Sequence, residues 1–365
     1  MSQTVEDQKD AHGGTPSVLF QRYGIEPRSV IDFSVNLSPL ELPESILALW
    51  NQLPQRIAHY PSTDGAGVKA YYAQRFGLDA DCVIAGNGSL ELMYFLQRVQ
   101  RYQHVLVPQP AFHDYQRSAC AGGAQVHSCQ RPLGQDYDAF LCSAPFREAL
   151  AKVDAVFLGS PNNPDGATAS ADCILDLCAQ YPNTHFLIDQ AFIQFLPIPG
   201  RASLLNPQHL RPNLFVFHSL TKYYAIAGLR IGSLIADPES IRALSQVREP
   251  WSVNSVAETI ATELATCSTY DTALRAWLAT ESQHFDAALS KIPGIQLYPS
   301  ATNFRLLRLN DPSQYDQVLT ELLQQGQHVR CCKNFPGLPA GCFRIGFQAH
   351  DANQALVAAL QKSVS

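Results

Sequence analysis

The sequence predicts an α/β protein. A large domain with a mostly parallel sheet, covered by helices, is expected to precede a smaller α+β C-terminal domain. Three observations predict this. The chain has 365 residues, 46% of them hydrophobic, enough for a large core and a smaller second one. Up to about Ser255, short β-rich apolar runs alternate with amphipathic stretches, the pattern of strands joined by crossover helices. Beyond it, long helical stretches surround only two strand-like runs.

Taken in order, residues 1–45 are loop-rich and are expected to form an arm packing with the small domain. The large domain is expected over 46–255 and the small one over 256–365. Strands are expected at Cys82–Ala85, His104–Val107, Ala155–Gly159, Phe186–Asp189, Leu214–His218 and Ile231–Ile235. Helical patterns lie between them, clearest at Ser89–Arg101 and Ser170–Gln180. The later part predicts a long helix over Tyr270–Lys291, strands at Asn303–Leu309 and Cys342–Phe347, and a last helix near Asp351–Gln361. In such sheets ligands bind beyond the carboxyl ends of the strands.

The composition narrows the function. A net charge of −6 argues against a nucleic-acid partner, which needs a basic face. No apolar run approaches the roughly 20 residues of a membrane span. The polar start MSQTVEDQKDAHGG lacks the apolar core of a signal peptide, so a cytoplasmic location is expected. The ten cysteines are scattered, without a Cys-x-x-Cys pair, and suit small buried residues better than disulfides or metal ligands. No metal is expected.

Lysine is sparse, which makes Lys222 informative. It lies in Ser219-x-x-Lys222-x7-Arg230, after one apolar run and before another. A lysine at a strand end can form a Schiff base with an aldehyde if burial lowers its pKa. The hydroxyl and the arginine suit a phosphate dianion. A surface lysine beside a structural arginine would give the same spacing. Asp189 ends an apolar strand and can pair with a protonated pyridine nitrogen, or simply cap a turn. Ser160-Pro-Asn-Asn-Pro-Asp-Gly166 presents Asn163, though such a segment is also an ordinary turn. Gly86-Asn-Gly-Ser-Leu90 joins a strand to a helix, where backbone N–H groups can cup a phosphate.

Together and in this order, these segments resemble fold-type I pyridoxal-5′-phosphate (PLP) enzymes of the aminotransferase class I/II superfamily. The resemblance covers nearly the whole chain and implies a seven-stranded large-domain sheet. It implies that Gly88, Ser89 and Leu90 cup the cofactor phosphate, completed by Ser219 and Arg230. Phe112, in PQPAFHDY, would stack on the pyridine ring, Asn163 and Asp189 would hold its polar edges, and Lys222 would carry the cofactor. Arg344, in CFRIGF, matches the arginine that binds a substrate carboxylate.

Two branches of the superfamily are close: histidinol-phosphate aminotransferases and the threonine-phosphate decarboxylases of cobalamin synthesis. Several segments resemble the second: His12-Gly13-Gly14, Asp32-Phe-Ser-Val-Asn36-Leu-Ser-Pro39 and Arg330-Cys-Cys-Lys-Asn-Phe-Pro-Gly-Leu338. Phe192, which the resemblance implies is a cofactor-binding position, stands where most aminotransferases place a tyrosine that contacts the cofactor oxygen and where the decarboxylases also have phenylalanine. Arg330 and Arg344 suit a substrate with both a phosphate and a carboxylate, with His12, Asn36 and Tyr60 completing its site. His59-Tyr60-Pro61 matches a segment whose tyrosine reaches the neighbouring subunit, so a homodimer is expected.

Three positions depart from the pattern. Asn36-Leu-Ser-Pro-Leu40 lacks the usual residues around its proline, Gln190 replaces a glutamate, and Ala227 replaces a proline. The resemblance implies decarboxylation of L-threonine O-3-phosphate. Decarboxylation of O-phosphoserine and an aminotransferase of the histidinol-phosphate type are the alternatives. A non-catalytic binding module on the same fold is a further one, opposed by the filled cofactor positions and by the expectation that no DNA-binding domain precedes the fold.

Overall fold

The computed structural model describes residues 13–14, 24, 26 and 29–364. A two-residue strand β1 (Ile31–Asp32) comes first. Seven strands then build the main sheet: β2 (Val83–Gly86), β3 (His104–Leu106), β4 (Gln125–His127), β5 (Ala155–Gly159), β6 (His185–Asp189), β7 (Leu214–Ser219) and β8 (Gly232–Ile235). Their order is β2-β8-β7-β6-β5-β3-β4, and every pair is parallel except the two made by β8. The fold is therefore α/β, as the alternating pattern predicts.

Alternate residues of these strands enter two different cores. Val156, Leu158, Phe186, Ile188 and Val216 join one cluster. Ala155, Phe157, Leu187, Phe215 and Phe217 join the other, under the helix Ser89–Gln100. Burial on both faces is why the strands read as continuous apolar runs rather than as alternation. The sequence reading omits β4. It is a three-residue edge strand, exposed at Gln125, with no apolar run to mark it.

After the long helix Ser268–Leu289 come β9 (Ile295–Leu297), β10 (Phe304–Leu309), β11 (Gln327–His328), β12 (Arg330–Cys331) and β13 (Cys342–Gly346), then the helix His350–Ser363. Strands β12-β13-β10-β9 form an antiparallel sheet. β1 pairs in parallel with β11, and the Phe33 carbonyl accepts from the Gly346 N–H. This ties the chain's early residues to its last strands. No described helix is long and apolar enough to cross a membrane.

Candidate active site

The carboxyl ends of β2, β5, β6 and β7 share one edge of the main sheet. Gly86 pairs with Gly232, Gly232 with Ser219, and Gly159 with Asp189. The loops carrying Gly88, Asn163, Asp189, Ser219 and Lys222 therefore leave the sheet side by side, where ligands of such sheets sit.

Lys222 lies in the short helix Leu220–Tyr223, whose N-terminus is capped by Ser219. Its side chain is half-buried. Burial lowers the ammonium pKa to about 8; the Arg230 and Arg344 cations push the same way and Asp189 opposes them. At neutral pH an appreciable fraction of the amine is then uncharged and nucleophilic.

Asp189 ends β6 and is buried. Burial raises its pKa to about 6, against the Tyr115 hydroxyl, the Ala191 N–H and Lys222, which all favour the anion. The Tyr115 hydroxyl donates to its Oδ2 at 2.8 Å, and the Ala191 N–H to its Oδ1 at 3.0 Å. Tyr115 is held in turn by face-to-face stacking on Phe157, with centroids 4.3 Å apart. The sequence reading did not single out Tyr115. Its only signal is its place one helical turn after Phe112, whose half-buried ring meets it edge-on at 5.5 Å.

Gly88 (φ 85°) precedes the helix Ser89–Gln100, and no side chain caps that helix start. Its first N–H groups, on Ser89 and Leu90, lack the partners a helix interior would give them. A Cβ on Gly88 would lie 2.4 Å from Arg230 Nη2, so the guanidinium rests against bare backbone. A Cβ on Gly232 would lie 2.1 Å from the Ser89 nitrogen. Two glycines thus allow a cation, a helix start and β8 to converge, a geometry suited to a phosphate.

Arg344 and Arg330 are direct partners across β13 and β12, each only 5% exposed. Arg344 Nη1 donates to Asn163 Oδ1 at 2.6 Å and Nη2 to the Ser34 carbonyl at 2.8 Å. Its guanidinium lies over Phe304, against which Phe192 packs edge-on at 5.0 Å. Phe192 thereby shapes the floor beneath Arg344 and is itself buried in the core. Arg330 donates to the Cys331 carbonyl and, at 3.0 Å, to Asn334 Oδ1. Burial lowers the Arg344 pKa to about 10, with Arg330 adding to the effect and Cys332 and Asp32 opposing it.

The segment 34–38 crosses between the two halves of the site. Ser34 accepts from Arg344, and the Ser38 N–H donates to the Lys222 carbonyl at 2.9 Å. Between them Asn36 is 4% exposed, and its Oδ1 has no hydrogen-bond partner among the described residues; nor has Arg344 Nε. A buried acceptor and a buried donor are thus each free to meet a polar group of a ligand.

His12 lies outside the described residues. Tyr60 is 84% exposed, its ring 5.1 Å from that of Trp251.

The residues around Lys222 fit PLP. They provide an amine of lowered pKa, a buried carboxylate with a positioning tyrosine, and a glycine-lined helix start with a cation. The family model for aminotransferase class I and II matches residues 28–360. The threonine-phosphate decarboxylase of Salmonella typhimurium is 30% identical over 356 residues, 96% of each chain. A histidinol-phosphate aminotransferase of Ralstonia nicotianae is 29% identical over 354 residues, covering 96% of this chain and 92% of that one. The solved histidinol-phosphate aminotransferase from Sinorhizobium meliloti, in complex with pyridoxal-5′-phosphate, superposes with a TM-score of 0.84 at 20% identity. That match covers 100% of this chain and 98% of the other. With the sheet order, the site and the sequence in agreement over almost its whole length, the chain belongs to the aminotransferase class I and II family and is a PLP-dependent enzyme of fold type I.

Proposed function

We propose that the chain decarboxylates a phosphorylated amino acid, converting L-threonine O-3-phosphate to (R)-1-amino-2-propanol O-2-phosphate and CO2 in cobalamin synthesis in the cytoplasm. The observation that carries this reading is the buried cross-strand pair Arg330 and Arg344. Two cations on one sheet face suit a substrate with two anionic groups, a phosphate and a carboxylate. The similarity to the Salmonella typhimurium decarboxylase supports the same reading.

When bound, PLP supplies an electron sink for the pair left behind when a bond to the substrate α-carbon breaks. The chain's own residues decide which bond breaks. Arg344, steadied by Asn163 and Ser34, would grip the substrate carboxylate and so fix which bond of the α-carbon is presented for breaking. Arg330, with His12 and Tyr60, takes the phosphate, and Asn36 accepts a hydrogen bond from the ligand. Asp189 keeps the pyridine nitrogen protonated. Lys222 Nζ, or a water, returns a proton to the α-carbon after CO2 leaves.

In this reading Tyr60 serves the site of a neighbouring copy, so the working unit is a homodimer. The exposed apolar side chains Trp50, Ile57, Tyr60 and Trp251 support it. The reading also divides the chain into an arm over 1–45, a PLP-binding domain over 46–255 and a small domain over 256–365.

A substrate panel tests the reaction. O-phosphothreonine, O-phosphoserine and histidinol phosphate are each supplied with and without 2-oxoglutarate, and CO2 and glutamate are measured. CO2 from O-phosphothreonine without an oxo acid is expected. Glutamate from histidinol phosphate, with no CO2 from either phosphoamino acid, would assign the chain to the aminotransferases, the alternative that the Ralstonia nicotianae relative supports.

A further inference from the structure

Far along the chain, three side chains that take no part in the Lys222 site converge. Glu281 and His284 are three residues apart on the helix Ser268–Leu289, so they share one face. His350 opens the last helix, which packs alongside. One ligand atom from each of the three lies within 4.8 Å of the other two.

The carboxylate is the unusual member. Glu281 is 3% exposed, while both imidazoles reach solvent. A glutamate this buried needs its charge met. Asn353 Nδ2 donates to Oε1 at 2.8 Å, and His350 Nδ1 lies 2.8 Å from Oε2. Asn353 is itself oriented, accepting from the Gln348 N–H at 2.9 Å and donating to the Gln348 carbonyl at 2.7 Å. A fixed carboxylate with an outer amide partner and two adjustable imidazoles is the arrangement of a metal-binding half-shell.

We infer that Glu281, His284 and His350 bind a divalent late first-row cation, zinc being the biological one, and clip the last helix to the helix Ser268–Leu289. Two imidazole nitrogens and one carboxylate oxygen suit zinc, with water as the fourth ligand. Ligand atoms around tetrahedral zinc lie about 3.3 Å apart, given metal–ligand bonds of about 2.0–2.1 Å. Reaching that spacing needs rotation of exposed histidines and no movement of the core. The cation takes the place of the hydrogen bond between His350 and Glu281. It joins the two helices, with two ligands from Ser268–Leu289 and one from the last helix.

The test uses untagged holoenzyme with zinc chloride alone, and with cobalt chloride as a visible reporter. Calorimetry is expected to show one strong zinc site per chain, and Tm is expected to rise with zinc concentration. His284→Ala and His350→Ala, both at exposed positions, should each weaken zinc binding by at least about tenfold, no less than losing an outer-sphere partner does. The double variant should abolish the Tm response while its PLP absorbance stays. Cobalt should give tetrahedral visible bands without near-ultraviolet sulfur-to-cobalt charge transfer. Equal zinc affinity in the double variant, or thiolate bands with cobalt, would overturn the assignment by placing the metal on cysteines or elsewhere.

Discussion

Arg330 and Arg344 face each other directly across β12 and β13, so two guanidinium groups stand on one face of a four-stranded sheet. Direct cross-strand partners have Cβ atoms about 4.5–5.5 Å apart, and like charges there repel. In the proposed reading a bound dianion adds an anionic partner to this pair. With the Gly88 helix start already filled by PLP, inorganic phosphate should therefore raise the Tm of the wild-type holoenzyme and leave that of the Arg330→Gln holoenzyme nearly unchanged. The same variant should lose about 10²–10³ in kcat/KM on a phosphorylated substrate, roughly 3–4 kcal/mol. The PLP absorbance should remain. An unchanged kcat/KM would put the phosphate grip elsewhere.

The uncharged form of Lys222 is the one that adds to an aldehyde. Its pKa is about 8, set by burial and then by Arg230 and Arg344, against 10.5 for an ordinary lysine. The rate at which cofactor-free protein takes up PLP should thus rise with pH through a midpoint near 8. Arg230→Gln removes one repelling cation and should move the midpoint upward. Stopped-flow absorbance reads both. A midpoint near 10 would mean that the amine is solvated like a free lysine.

Asp189 is costly to the cofactor-free protein. Its folded pKa is about 6, raised by burial, whereas an unfolded aspartate titrates near 3.8. Between those values the folded chain binds more protons than the unfolded one. The contribution of Asp189 to stability therefore declines as pH rises from about 4 to about 6. Asp189→Asn should stabilise the cofactor-free protein at pH 7 by up to about 3 kcal/mol. It should also sharply reduce activity, because an amide cannot hold the pyridine nitrogen protonated. Thermal scans of the cofactor-free forms at pH 4 and pH 7 check the sign.

Tyr115→Phe keeps the stack on Phe157 but removes a donor to Asp189. That donor favours the anion, so its loss should move the acid limb of the kcat/KM profile to higher pH. PLP affinity should fall by about tenfold or more, as for a lost hydrogen bond to a charged group. An unmoved acid limb would show that Tyr115 does not set the charge of Asp189.

Gly88→Ala puts a side chain at φ 85° and a Cβ against the Arg230 guanidinium. That combination of positive φ with an extended ψ of 157° is essentially confined to glycine and costs about 1–3 kcal/mol, and Arg230 must shift away from the helix start. The variant should fold and retain PLP weakly. A raised Kd for PLP, measured by equilibrium dialysis, is the expected result.

The parallel strands were legible because burial on both faces leaves runs such as AVFLG and HFLID with almost no polar interruption. The edge strand β4 was not, since QVH carries no pattern longer than its three residues. Lys222 and Asp189 stood out by chemistry at strand ends. Tyr115 did not, because a tyrosine in a helix is ordinary until the fold brings its hydroxyl to β6. The direct pairing of Arg330 with Arg344 depends on the register of β12 on β13, and fourteen residues of sequence separation do not specify that register. The Glu281, His284 and His350 cluster needs two helices docked side by side, and only one of its spacings is local.

Segment 34–38 is pinned at both ends. Its carbonyl at Ser34 is fastened to Arg344 and its N–H at Ser38 to the backbone of Lys222. Four backbone steps thus separate the point that holds the Arg344 guanidinium from the point that holds the backbone of Lys222. Removing one residue would shorten an extended span by about 3.3 Å, more than the length of a methylene. In the proposed reaction the segment would act as a ruler between the carboxylate grip and the lysine. An enzyme of this architecture could be retuned to a shorter or longer substrate there, with the cofactor site left untouched.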